Sequence, residues 1–133
     1  MATTTPEKNK AIVLEAFDTL FNKHDYEAAA HFWSDNYLQH SAHIPPGRKG
    51  LFDLVRSLSA DSRWEHGPIV AEGDYVTVHS RYSGSGAPSA LIAIDIVRME
   101  DGRLAEHWDV WESEVTASES KSGLPMFGTS FPA

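Results

Sequence analysis

The sequence predicts an α+β fold in which helices precede a meander of strands. Apolar residues recur at helical spacing up to about residue 59, and from Trp64 onward the period shortens to two. Turn signals at Glu72-Gly73-Asp74 and Glu100-Asp101-Gly102 divide that second half into strand-sized pieces. Helices gathered ahead of a sheet can cover only one of its faces.

The first helix is signalled by its start. Thr4 and Glu7 have capping-box spacing, and Thr5 before Pro6 offers an alternative cap with proline at the first helical position. Ile12, Ala16, Phe17, Leu20 and Phe21 then form one apolar stripe, and Asn22 to Asp25 reads as a break. A short second helix is expected to bury Ala29, Phe32 and Trp33, followed by a brief extended piece from Tyr37 to His40. Ile44-Pro45-Pro46-Gly47 marks a loop, because a residue before proline avoids helical geometry. A third helix is expected from Gly50 to Ser59, with Leu51, Leu54, Val55 and Leu58 inward.

The strands follow as Trp64 to Ala71, Tyr75 to Ser83, Ser89 to Met99 and Arg103 to Glu112. Pro68 predicts an edge or a bulge in the first of them. From Thr116 the chain is rich in Ser, Gly and Pro and is expected to be an irregular arm on a single domain spanning residues 1–133.

Composition narrows the function. The 133 residues suit one domain, and 41% hydrophobic residues supply a real core. A net charge of -8 with no basic run argues against nucleic acid and anionic membranes as partners. The absence of cysteine removes disulfides, thiol nucleophiles and cysteine metal sites. The polar first ten residues lack an apolar signal segment, so the expected location is cytoplasmic.

Strand alternation sorts the chemistry. Three strands each carry one set mixing titratable and apolar groups: Tyr75, Thr77, His79 and Arg81; then Leu91, Ala93, Asp95 and Val97; then Ala105, His107, Asp109 and Trp111. The alternate sets are mostly aliphatic or aromatic. If the titratable sets share a face, His79, Asp95, His107 and Asp109 converge in a pocket whose walls are apolar. The aliphatic face then needs a cover, which a second copy of the sheet would provide. The alternative is that the aliphatic face is the core and the His/Asp face is wet.

An ordered series of short motifs favours the pocket. Tyr37-Leu38-Gln39-His40, Pro46-Gly47-Arg48-Lys49-Gly50 and Glu72-Gly73-Asp74 leading to Val78-His79-Ser80 are continued by Asp95-Ile96-Val97-Arg98, Asp101-Gly102-Arg103-Leu104 and Glu106-His107-Trp108-Asp109. Together they resemble the SnoaL-like polyketide cyclase branch of the NTF2-like superfamily, from the first helix to Trp111. The Gly123 to Phe127 segment resembles that family's ending. The resemblance implies a conical fold with a pocket in its mouth, dimerisation through the sheet, and no cofactor or metal. It also implies an aspartate acting as general acid/base in an intramolecular aldol closure, with a histidine close by. Two departures reshape the pocket: His40 is followed by Ser41-Ala42-His43 where Asn-Pro is common, and Trp111 stands at a commonly aliphatic position.

The expected catalytic residues are His107, Asp109, His79 and Asp95, with Asp109 removing a proton α to a carbonyl. His107 or His79 would hydrogen-bond the enolate oxygen, and Asp95 would orient a histidine. His40, Tyr37, Trp64, Arg81, Trp111 and Trp33 are the candidate substrate-binding residues, Arg81 holding a carboxylate or phenolate. His24, His31, His43 and His66 are expected at the surface or at caps. A metal site built on His40 and His43, hydrolysis of an epoxide or lactone by Asp95, Asp109 and Arg81, and ligand binding without turnover are the competing readings.

Overall fold

The computed structural model describes residues 4–132. Helix α1 runs from Pro6 to Phe17, and the Thr5 side chain caps it by accepting the Lys8 N–H at 3.2 Å. Val13, Ala16 and Phe17 are buried on its inner side. One wide π-helical turn, Asp18–Asn22, carries the same face on to Leu20. Asn22 then grips the sheet: its Oδ1 accepts the Trp64 N–H at 2.7 Å and its Nδ2 donates to the Trp64 carbonyl at 3.0 Å.

Helix α2 is a single turn, Tyr26–Ala29, capped by Asp25. It ends sooner than expected, because Trp33 already opens strand β1, Trp33–Gln39. Trp33 is buried as anticipated, but as a strand residue. Helix α3, Gly47–Ser57, begins three residues early and buries Leu51, Phe52 and Val55. Gly50 is required there, since a Cβ at that position would lie 2.3 Å from the Pro45 carbonyl oxygen.

Strands β2 (Arg63–Glu72), β3 (Tyr75–Ser83), β4 (Leu91–Glu100) and β5 (Arg103–Ser113) form an antiparallel meander, and β1 adds to β5 in parallel. The open sheet has the order β1-β5-β4-β3-β2, so β2 lies at one edge. Its register slips between His66 and Ile69, where Pro68 would otherwise lack a ladder N–H. The β4–β5 hairpin turns through Asp101 and Gly102, both at positive φ. Another slip between Arg98 and Met99 leaves Leu104 and Ala105 both buried.

The core fills the space between the helices and the inner sheet face. Phe17 stacks on Trp33 with ring centres 6.3 Å apart and meets Trp64 edge-on at 5.2 Å. After Ser113 the described chain forms no further helix or strand. Phe127 of this segment lies 5.1 Å from the His79 ring. Among the described residues no helix is long and apolar enough to cross a membrane.

Candidate active site

A cavity of about 270 Å³ opens between the inner sheet face and helices α1 and α3. Phe17, Phe21, Leu51, Val55 and Leu58 supply its apolar wall. Gln39, Tyr82, Asp95, His107 and Asp109 form its polar end.

The register explains why these side chains meet. Asp95 pairs directly with Asp109 across β4 and β5, and Val97 with His107, so all four point to one face. Gln39 of β1 pairs with His107 from the other side. His107 Nε2 lies 2.7 Å from Asp95 Oδ1, and His107 Nδ1 lies 2.7 Å from Gln39 Oε1. The Tyr82 hydroxyl donates to Asp95 Oδ2 at 2.7 Å. Asp95 is 1% exposed and His107 6% exposed, whereas Asp109 is half-buried and has no hydrogen-bond partner among the described residues.

Burial pushes the Tyr82 phenol well above the usual tyrosine range, and the Asp95 charge beside it adds to that shift. Tyr37 is likewise raised, chiefly by burial. Both hydroxyls are therefore neutral at physiological pH. Two buried polar side-chain atoms have no partner among the described residues, Trp33 Nε1 and Ser41 Oγ, and both residues line the cavity.

Of the anticipated catalytic residues, the structure brings Asp95, His107 and Asp109 together. His79 stands apart. It pairs with Ile94 on the outer sheet face, because the β3–β4 register places Val78 opposite Asp95 and so turns Val76, Val78, Ser80 and Tyr82 inward. Arg81 shares that outer face and is bound by Glu114 at 2.9 Å and Glu65 at 2.8 Å.

Among the anticipated binding residues, Trp33, Tyr37 and Trp111 line the cavity. Trp64 does not: it is core, donating from Nε1 to Ser80 Oγ at 3.0 Å. His40 also lies elsewhere, stacked on Trp108 at 4.8 Å and 2.6 Å from Glu106 Oε2. Hydrogen bonds from His40 and then Arg98 hold the Glu106 carboxyl below its ordinary range.

Sequence reasoning missed Gln39, Ser41, His43 and Tyr82. For Gln39 the signal was present, because alternation along β1 puts Tyr37 and Gln39 on one face and Leu38 and His40 on the other. His43, expected at the surface, is exposed but reaches the cavity mouth, where its ring lies 4.8 Å from Trp111.

Ligand-capable atoms of Asp95, His107 and Asp109 lie within 4.8 Å of one another. Both His107 ring nitrogens already face hydrogen-bond partners, so a metal would have to displace Gln39 or Asp95. The histidine spacing at His40 and His43 brings no second ligand to this place, since His40 packs on Trp108 and His43 on Trp111.

Helices laid on one face of an open, mostly antiparallel sheet, with a pocket between the layers, define an NTF2-like α+β cone. The chain belongs to the SnoaL-like domain family, whose profile matches residues 13–107. It is similar to TsrD from Streptomyces laurentii, with 22% identity, a TM-score of 0.69, and coverage of 82% of this chain and 92% of that one. A provisionally assigned ketosteroid isomerase from Kribbella flavida DSM 17836 has 17% identity and a TM-score of 0.71, covering 96% and 93%. A provisionally assigned polyketide cyclase from Bacillus cereus ATCC 10987 has 20% identity and a TM-score of 0.67, covering 79% and 74%. At these identities the likeness establishes a shared fold. A search of the curated proteins finds no match.

Proposed function

We propose that this chain is a cofactor-free general acid/base enzyme acting on a carbonyl-bearing small molecule, an aldol-type cyclase or isomerase. One observation carries the reading: the Asp109 carboxylate has no partner among the described residues and sits in an apolar pocket beside the joined Asp95 and His107. An unpaired carboxylate that faces a substrate-sized cavity is free to take a proton from the molecule bound there.

In this reading Asp109 takes a proton α to a substrate carbonyl, and the negative charge moves to the carbonyl oxygen. Both His107 nitrogens are engaged, so that oxygen needs another donor. The Ser41 hydroxyl is buried, unpartnered and on the cavity wall, which suits it to the role. In an isomerisation, protonated Asp109 returns the proton to a different carbon. In an aldol closure, the enolate carbon bonds to a second carbonyl of the same molecule, and the resulting alkoxide takes the proton from Asp109. A small, largely apolar substrate suits the cavity's size and lining.

The hydrolytic alternative needs Arg81 beside Asp95 and Asp109, and Arg81 lies across the sheet from both. We place the protein in the cytoplasm as a homodimer joined through the outer sheet face, where Ile94 is 40% and Val110 72% exposed.

The test is deuterium uptake at the α-carbon of a panel of diketones in D₂O, followed by proton NMR. Asp109→Asn is expected to slow uptake by about 10²–10⁴-fold, and His107→Ala to slow it as well, with both variants folded. Uptake unaffected by Asp109→Asn would end the acid/base reading and leave a binding module that alters only affinity.

A further inference from the structure

The hydrogen bonds around His107 determine how many protons it carries. Ser41 donates its backbone N–H to Gln39 Oε1 at 3.0 Å. Gln39 Nε2 donates to the Tyr37 hydroxyl oxygen at 3.2 Å. Rotating the Gln39 amide by half a turn would set its NH₂ against the Ser41 N–H, two donors facing each other. Gln39 therefore offers His107 an acceptor, and Nδ1 must hold a proton.

The other ring nitrogen meets Asp95 Oδ1 at 2.7 Å. An ionised carboxylate only accepts, and a neutral ring protonated at Nδ1 has only a lone pair at Nε2. Two acceptors do not approach to that distance without a proton between them. Asp95 Oδ2 accepts the Tyr82 O–H, so that oxygen carries no proton of its own and the proton facing His107 is assigned to the ring.

The remaining surroundings agree. Asp109 on β5 adds a second acid, Tyr37 on β1 and Tyr82 on β3 are neutral, and the α1 and α3 walls are apolar. Among the described residues His43 at the mouth is the one other titratable base lining the cavity, and its ring lies against Trp111. A cation between two carboxylates is the charge arrangement that this low-dielectric setting favours.

We propose that Gln39 is a positioning residue that keeps the His107 ring doubly protonated, its second proton shared with Asp95, so that Asp109 is the carboxylate left free for substrate. The proposal deepens the acid/base reading of the site, but its test needs no turnover.

The full chain would be labelled with ¹⁵N, and the His107 ring signals identified by their loss in His107→Asn. At about pH 8, above the ordinary histidine range of roughly 5.6–7.6, the wild-type ring is expected to show protons on both nitrogens. Gln39→Met keeps the side-chain length but removes the acceptor, and is expected to lose one ring N–H at the same pH. Gln39→Glu supplies an acceptor again and restores it. A wild-type ring with a proton on only one nitrogen, whether Nδ1 or Nε2, would overturn the assignment, as would a folded Gln39→Met whose ring matches the wild type. Should Gln39→Met not fold, the wild-type and Gln39→Glu spectra decide, and a singly protonated ring in either refutes it. Failure of Asp109→Asn to slow deuterium uptake, with both ring protons present, would sink the acid/base reading and leave this one standing.

Discussion

Tyr82 ties one strand to another through a single hydroxyl, and its removal isolates the effect. Tyr82→Phe leaves Asp95 Oδ2 without its donor. An unsatisfied buried acceptor costs about 1–3 kcal/mol, which urea unfolding of the variant should report. The two buried phenols also set an alkaline limit. Tyr37 and Tyr82 are raised above the ordinary value of 10.0 in the folded chain, so the folded state holds protons that the unfolded state releases. Their contribution to stability is complete below that value and falls as pH rises beyond it. Ultraviolet absorbance at alkaline pH is expected to show both phenolates appearing only with unfolding.

At the level of elements, strand faces were legible where alternation alone decided them. Alternation within β5 puts His107 and Asp109 on one face, but Asp95 joins them only through the slip between Arg98 and Met99, because an unbroken hairpin through Asp101 and Gly102 would pair Asp95 with Trp108. The face of β3 was not legible, since it depends on whether the glycine-rich stretch before Leu91 contributes an odd or an even number of residues. A shift of one there exchanged His79 and Arg81 for Ser80 and Tyr82. Trp33 was correctly buried but assigned to a helix, because a large apolar residue marks the core without naming its secondary structure. Pro68 announced its irregularity fully: β2 is an edge strand and it bulges. Helix α3 offers a test of close approach. Gly50→Ala forces a methyl group against the Pro45 carbonyl, so α3 must shift from the Pro45-Pro46 loop, at a cost of roughly 1–3 kcal/mol. Thermal melting compared with an exposed Ala42→Gly control would measure it.

Across the whole molecule the two sheet faces have divided tasks. The inner face carries the cavity, while the outer one leaves Leu38, Val70, Tyr75, Ile94 and Val110 exposed. Isolated apolar side chains need no explanation, but several together on one sheet face are the basis of the proposed pairing. Ile94→Lys with Val110→Asp is expected to convert the proposed dimer to monomer in analytical ultracentrifugation, with the far-ultraviolet circular dichroism unchanged. A sedimentation coefficient identical to that of the wild type would refute pairing through this face.

Strand β1 is the sheet's other margin, attached along a single side, and it delivers Gln39 to His107. Its neighbour in sequence, His40, donates its backbone N–H to the His107 carbonyl at 2.8 Å. Marginal strands fray more readily than interior ones. Each brief detachment would break that hydrogen bond and free the glutamine in the same motion. Solvent exchange at the His40 amide would therefore clock how often the His107 imidazole is released from its support.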